Sequence, residues 1–494
     1  MTAAWLDRPN ARVIRIARLR GETMTAPHGK APVAARAQAA PSEIGEIAPL
    51  VQPWPLAAGI GATSLGRILS GDGVYVEDAQ GRRLIDGPAG MWCVNVGHRN
   101  KALADALREQ AMSLTYTSPW YTSNNPAETL ARMLADRAPG DLKHVFFTTG
   151  GSTAVETAIR LMQFYNNTRG RPEKKLIVSR QGGYHGSTYL SASLNGRPRV
   201  HDWMDSAAEL TCKLSCPDPF HRPPGVSRES FEDFLEAEFR DLIHQKGAGR
   251  IGAFIAEPVQ ASGGLLVPTE HYLERMRAVC AEHDILFIAD EVVTAFGRLG
   301  HIFASRDVFR IEPDMITFAK GVTSGYFPLG GVMVSERLCE ALRRSNHADA
   351  MFLHGFTYSS HPIGCAVAIR NLELLEDGIL DHVRSLSGYF RERMKTLASL
   401  PLVGDVRGVG LMAGVECVAD RRSNNPLQLD LDVGKRIDRH CQELGLLVRP
   451  LINMCVISPP LVITKDQIDL LVELLHKGIS LTMDDLVRER LWLG

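Results

Sequence analysis

The chain of 494 residues contains no apolar run approaching the ~18–20 uncharged residues of a membrane-spanning helix, so a soluble protein is expected. It has no surplus of either charge. Its 55 Lys+Arg against 56 Asp+Glu leave a formal net charge of -1, which argues against a whole-chain footprint for nucleic acid. Cysteine is sparse and unpatterned: nine residues, an odd number, scattered from Cys93 to Cys455 without framework spacing. They read as reduced thiols of a cytoplasmic protein. Cys212 and Cys216 with His221 are the one candidate metal cluster. The segment is Pro-rich, has no second Cys pair and offers no fourth ligand, so an ordinary loop and no metal are expected. No period repeats along the chain. What is present, 45% hydrophobic and 22% charged residues, is ordinary for a folded globular protein and excludes a wholly disordered one.

Residues 1–40 stand apart, rich in Ala and Arg with Asp7 and Glu22 as the only acids. A transit peptide and an over-called start before Met24 are both open readings, and disorder is expected. From Ile68 to Gly87, alternation through Val74-Tyr75-Val76 and Arg83-Leu84-Ile85 reads as a hairpin. Helical periodicity follows from Ala102 to Met112. Short non-alternating runs then recur at Val145-Phe147, Leu176-Val178, Ala253-Ala256, Ile285-Ile288, Met315-Phe318 and Gly331-Val334. Such runs suit strands covered on both faces, so an α/β fold with a mostly parallel sheet is expected, with crossovers such as Leu273 to His283. Past His361 the pattern changes to helices at Ile363–Leu375 and Val383–Leu397, a strand-like Gly410–Val415, a helix near Val433–Leu444 and a strand pair around Leu446–Val448 and Cys455–Ile457. This reads as a smaller α+β domain.

Ligands of open α/β sheets bind outside the carboxyl ends of the strands. One run ends in Gly150-Gly151-Ser152-Thr153 before an amphipathic helix. Free N–H groups and the positive end of the dipole make an anion site there. The plainer reading is that Ser152 only caps its helix. Three further runs end in Glu257, in Asp290-Glu291 and in Lys320. Each alone can be a strand-end salt bridge. Together, beside an anion site, they supply an amine, a phosphate pocket and an acid that can hold a ring nitrogen protonated. At an effective dielectric of 20, unit charges ~4 Å apart attract by roughly 4 kcal/mol. These are the parts that pyridoxal phosphate requires.

In combination and order, Gly150-Gly151-Ser152, Tyr184-His185-Gly186, Glu257-Pro258-Val259-Gln260, Asp290-Glu291-Val292, Phe296-Gly297-Arg298, Lys320-Gly321 and Gly355-Phe356-Thr357-Tyr358-Ser359 resemble the class III, or omega, aminotransferases of fold type I. The resemblance covers roughly Ile68 to Leu481. It implies a large, mostly parallel-sheet α/β domain (96–360), a small α+β domain built from both chain ends (41–95 and 361–494), and pyridoxal 5′-phosphate as cofactor. By the resemblance, Lys320 binds the cofactor covalently and later shuttles the proton at the substrate Cα. Asp290 pairs with the pyridine nitrogen, Tyr184 and Val292 sandwich the ring, Gly151 and Ser152 hold the phosphate, and Glu257 orients the site near the phenolic oxygen. Thr357 reaches the phosphate of a neighbouring subunit, implying a homodimer or a dimer-based tetramer with shared sites.

Within the family, the segments around Trp92, Trp120 and Arg449 resemble the pyruvate-dependent amine and omega-amino acid transaminases. There Trp92 and Trp120 shape the donor pocket, and Arg449 binds the carboxylate of pyruvate or alanine; a surface strand-end arginine is the plainer alternative. Thr153 stands where much of the family has Glu. Val293 stands where ornithine- and GABA-type members carry Gln, which favours the pyruvate-type branch. The partners implied are small amines or amino acids and 2-oxo acids. An aminomutase or decarboxylating transaminase is the rival within the cofactor class. A nucleotide-binding α/β protein lacks its fingerprint here.

Overall fold

The computed structural model describes residues 49–61, 66–197, 200–347, 349–420, 425–426 and 432–492. The expectations for residues 1–40 lie outside that set. The chain divides into two compact units, Met1–Gly66 and Arg67–Gly494. In the first, the described residues include one 3-10 turn at Ala57–Gly59.

The second unit opens with β1 (Ile68–Asp72), β2 (Tyr75–Asp78) and β3 (Arg83–Asp86), paired antiparallel in that order. The expected hairpin is β2–β3, and β1 extends it to a meander. The turn follows from its residues: Asp78 Oδ1 accepts from the backbone N–H of Gln80 and Arg82, both at 2.9 Å, and Gly81 takes φ 75°.

The seven-stranded central sheet comprises β4 (Leu142–Thr148), β5 (Leu176–Arg180), β6 (Thr211–Leu214), β7 (Ile251–Ala256), β8 (Leu286–Asp290), β9 (Met315–Phe318) and β10 (Gly330–Ser335). Their order is β4-β10-β9-β8-β7-β5-β6. β10 runs antiparallel to both of its neighbours and the other pairs are parallel. Every residue of β5, β7, β8, β9 and β10 is buried, the reason those stretches read as unbroken apolar runs. β6 corrects the expected loop at Cys212. It is an edge strand, with Cys212 and Leu214 buried and Thr211 and Lys213 half-buried, too short and too interrupted by lysine to stand out. The helix Gly151–Thr168 lays Ala154, Val155, Ala158, Ile159 and Met162 against the sheet. The helix Tyr272–Glu282 links β7 to β8 as expected.

Beyond it, helices Pro362–Leu374 and Leu380–Lys395 flank a π turn at Leu375–Ile379. Then come β11 (Val403–Val409), β12 (Met412–Asp420), β13 (Asn425–Pro426), the helix Val433–Leu444, β14 (Leu446–Leu447), β15 (Arg449–Leu451), β16 (Met454–Ile457) and the helix Lys465–Arg488. β11-β12-β16-β15 form one sheet, with β13 on β12. The expected pairing of 446–448 with 455–457 is replaced by two others. β14 pairs parallel with β3, and β15 pairs antiparallel with β16, so the apolar run and the Arg449–Leu451 segment after it go to two different sheets. The β3–β14 pair joins the two ends of this unit. From residue 67 onward it supports the partition into 41–95 with 361–494 and 96–360, which we keep as a proposal. Among the described residues no helix is long and apolar enough to cross a membrane.

Candidate active site

The carboxyl ends of β4, β5, β7, β8 and β9 open at one edge of the sheet, because these strands all run the same way. Gly150-Gly151-Ser152 follows β4, Tyr184 follows β5, Glu257 follows β7, Asp290 closes β8, and Lys320 lies two residues past β9. The topology thus collects residues that the sequence scatters over some 170 positions.

Close packing then draws them together. A Cβ on Gly151 would lie 3.0 Å from Val292 Cγ1 and 3.7 Å from the Cβ of Ala319, the neighbour of Lys320. Gly186, at φ 138°, presses on Ser152: a Cβ there would lie 2.7 Å from Ser152 Oγ. Ser152 Oγ accepts the Ser187 N–H at 3.0 Å, so it tethers the Tyr184-His185-Gly186 turn as well as opening its helix. Gly150 brings no capping side chain to that helix, and Thr153 Oγ1 donates to Gly150 O at 2.8 Å. First-turn N–H groups therefore face the sheet edge without a capping side chain.

Asp290, 4% exposed, accepts from Val292 N at 3.2 Å and meets His185 Nδ1 at 2.7 Å. His185 is held by Asn195 Oδ1, which accepts its N–H at 2.6 Å, while Asn195 Nδ2 donates to Gly186 O at 2.9 Å. Glu257 accepts the N–H of Tyr184 at 2.9 Å and of Ala261 at 3.2 Å. Tyr184 OH lies 3.0 Å from Ser187 Oγ. Lys320 sits in a left-handed conformation, φ 42°, a strain of about 1–3 kcal/mol that the surrounding fold must impose. Its half-buried Nζ is 5.7 Å from the centroid of the Trp92 ring. Trp92 is buried and its Nε1 has no hydrogen-bond partner.

Burial pushes the Lys320 ammonium below its usual range; Asp290, Cys93 and Glu257 oppose the shift, and Arg449 adds to it. Burial pushes the Glu257 carboxyl up, against the pull of His185. Arg449, on β15, is half-buried with Nε unpartnered, and burial lowers its pKa, with Asp438 and Tyr184 opposing. Burial therefore disfavours the charge on both Lys320 and Arg449, and Lys320 feels the charge of Arg449 as well as that of Asp290 and Glu257.

The structure does not bring every candidate to this cluster. Trp120 is 58% exposed and packs near Gly355, while Thr357 is exposed and its carbonyl accepts from Tyr116 OH at 2.9 Å. The adjacent Glu291 is used differently from Asp290: it accepts from Thr294, Ala304 and Ser305 and pins that loop. Sequence reasoning left His185 and Asn195 without a role, although the Tyr-His-Gly motif was in view. It also passed over Arg197, whose pKa burial lowers with a further push from Arg449. The Cys212–Cys216–His221 grouping does not form. Burial pushes the Cys216 thiol up to about 12, and His221 instead joins Asp218 and Glu416, with ligand atoms all within 4.8 Å. Arg407 Nη1 lies 2.7 Å from Glu416 within the same group, which makes it an ion-pair network.

Comparison with known proteins extends this picture. The sequence profile described as aminotransferase class-III matches residues 62–479. The mitochondrial gamma-aminobutyrate transaminase 1 of Oryza sativa subsp. indica is 40% identical over 416 residues, 83% of this chain and 80% of that one. The putrescine–pyruvate aminotransferase of Pseudomonas aeruginosa is 38% identical, covering 84% of this chain and 90% of its own. The crystal structure of an (S)-enantioselective omega-transaminase from Thermomicrobium roseum superimposes with a TM-score of 0.83 at 37% identity, over 88% of this chain and 96% of that one.

Proposed function

Because the chain belongs to the class III aminotransferases, which use pyridoxal 5′-phosphate, we propose that it transfers an amino group from an omega-amino acid or primary amine to pyruvate, giving alanine and an aldehyde or ketone. The observation that supports the acceptor is Arg449. It offers a planar cation with an unpartnered buried Nε, near enough to act on the charge of Lys320 and matched to the carboxylate of a small 2-oxo acid. Val293, in place of the Gln of GABA-type members, points the same way. Relatives with names of both kinds share this architecture, so the acceptor is decided by pocket residues and by experiment.

The site fits the cofactor. Gly151 and Gly186 let the loops at the strand ends close on one another where a Cβ would press on Val292 or Ser152, the helix start at Gly151 carries no capping side chain, and Asp290 and Lys320 follow on the adjacent strands β8 and β9. We assign the phosphate to Gly151 and Ser152, the ring faces to Tyr184 and Val292, the ring nitrogen to Asp290 and the covalent link to Lys320. When bound, the cofactor supplies an electron sink that labilises the substrate C–H bond. His185 keeps Asp290 oriented, and the buried carboxylate holds a proton on the nitrogen facing it. Lys320, its ammonium destabilised by burial, is available as the base that takes the proton from Cα and returns it. Trp92 excludes water beside that amine. Glu257 fixes the Tyr184 turn.

The exposed group of Tyr116, Trp120, Thr357 and Tyr358 is assigned to a second copy of the chain, which would complete the donor pocket. A holoenzyme sedimenting as dimer or tetramer is expected; an active monomer would overturn that assignment.

A panel of amines, diamines, beta-alanine and taurine, each with pyruvate or with 2-oxoglutarate, tests the reading. Alanine is expected from pyruvate; glutamate formed in preference from 2-oxoglutarate would overturn the acceptor. Arg449→Ala is expected to raise KM for pyruvate by roughly 10–100-fold, while single-turnover reaction with an uncharged amine changes little.

A further inference from the structure

Away from the strand-end cluster, a cavity of about 480 Å³ opens between the segment after β6, the 267–268 loop, the helix Leu380–Lys395 and β11–β12. Five cations line it: Arg222, Arg228, Arg391, Lys395 and Arg407. Two acids, Asp218 and Asp405, share the wall.

The pairing is lopsided. Arg407, with 10% of its side chain exposed, forms a neutralised floor, 2.8 Å from Asp405 and 2.7 Å from Glu416. The other four have no carboxylate within 4.0 Å among the described residues; Arg222 and Arg391 donate only to backbone carbonyls. Asp218 instead groups with His221 and Glu416. Arg391 and Lys395 stand one turn apart on one helix face, near its carboxyl end, where the dipole alone would favour cations. The dipole does not account for Arg222 and Arg228, which arrive from a different segment and converge on the same space. Phe220, Pro268 and Met394 add apolar wall. Glu229 feels the charge of Arg222 and Arg228 without closing an ion pair on either. Guanidinium groups lacking a close carboxylate around a concavity of small-ligand size, with an apolar side, are the features of an organic-anion pocket.

We propose that this cavity is a second ligand site, separate from the amine-transfer centre, which binds a small organic phosphate through Arg222, Arg228, Arg391 and Lys395. The site also touches the loop that carries Glu257: Arg407 Nε donates to Gly264 O at 3.0 Å, and the Gln260–Leu266 bridge closes that loop.

The test uses the cofactor-loaded enzyme, so that the phosphate loop is already filled. Calorimetric titration with inorganic pyrophosphate and with ADP is expected to give dissociation constants of about 1 mM or tighter. Arg391→Ala/Lys395→Ala, both exposed helix positions, is expected to weaken binding at least roughly tenfold with an unchanged circular dichroism spectrum. Arg344→Ala, an exposed arginine elsewhere, is expected to leave it unaltered. Equal affinity for pyrophosphate and ADP would assign recognition to phosphoryl groups alone, and tighter ADP would assign a share to the apolar wall. Binding by neither probe, or equal loss in the Arg344→Ala variant, would overturn the proposal.

Discussion

Two buried charged clusters in this chain are partnered in opposite ways. In the first, Arg407 and Glu416 are answered: Glu416, 2% exposed, takes His221 at 2.6 Å and Arg407 at 2.7 Å, and Arg407 also takes Asp405 at 2.8 Å. Around Lys320, neither that amine nor Arg449 has a carboxylate within 4.0 Å among the described residues, and His185 Nε2, Trp92 Nε1 and Arg449 Nε are buried without partners. Leaving buried charge unanswered costs several kcal/mol. A fold bears that cost where a ligand completes the set, so the first cluster holds structure and the second awaits chemistry. The neighbours Asp290 and Glu291 repeat the contrast within two residues, since Glu291 is saturated by its loop and Asp290 is not.

Substitutions can break this contrast from either side. The largest effect is expected from Lys320→Ala, which should abolish transamination while the thermal transition stays near that of the parent; steady turnover by the variant would remove Lys320 from the chemistry. Asp290→Asn comes next, with turnover reduced by about 10²–10⁴, because a neutral partner no longer favours a protonated ring nitrogen. Near-normal rates there would mean another group does this work.

In the paired cluster the expected loss is of stability. Glu416→Gln leaves Arg407 and His221 without their shared acid, and chemical denaturation should show about 3 kcal/mol less stability with kcat unchanged. His221 and Arg407 hold the Glu416 carboxyl below its usual range, despite burial. Its contribution is therefore present above the unfolded pKa of about 4.3 and fades as pH falls through the lower folded value. The variant should have a flatter acid limb. An unchanged limb would show that the pair adds nothing.

The smallest effect is expected at Lys213, half-buried on the edge strand β6, whose amine burial lowers to about 7. The folded state then prefers it neutral, while the unfolded chain keeps its proton to about 10.4. The penalty is full below pH 7 and relaxes as pH rises toward 10, so stability from this group increases with pH. Lys213→Met should remove that slope, seen as a Tm gain at pH 6 that vanishes near pH 10; an equal change at both would refute it.

Much of this was legible in the sequence. Six apolar runs became six strands of the central sheet because burial on both faces leaves no alternation to interpret. The motif residues arrived at one edge because parallel strands share a carboxyl end. Hydrogen-bond partners were not legible: nothing in spacing says that His185 meets Asp290, or that Asn195 holds His185, since both depend on how two loops pack. Trp120 and Thr357 lie apart from Lys320 within one chain because their proposed role needs a second copy. β6 was missed because a lysine interrupts four residues. The helix Lys465–Arg488 had a readable signal, Ile468, Leu471, Val472, Leu475 and Ile479 on one face after a Thr464–Gln467 capping box, and it went unused.

The contrast between answered and unanswered charge comes down to whether Lys320 carries the cofactor. Borohydride reduction of the pyridoxal-phosphate-loaded enzyme, followed by peptide mass spectrometry, reads this directly. A pyridoxyl-phosphate adduct on the peptide containing Lys320 is expected; an adduct on a different lysine, or none on a protein that still transaminates, would contradict the assignment.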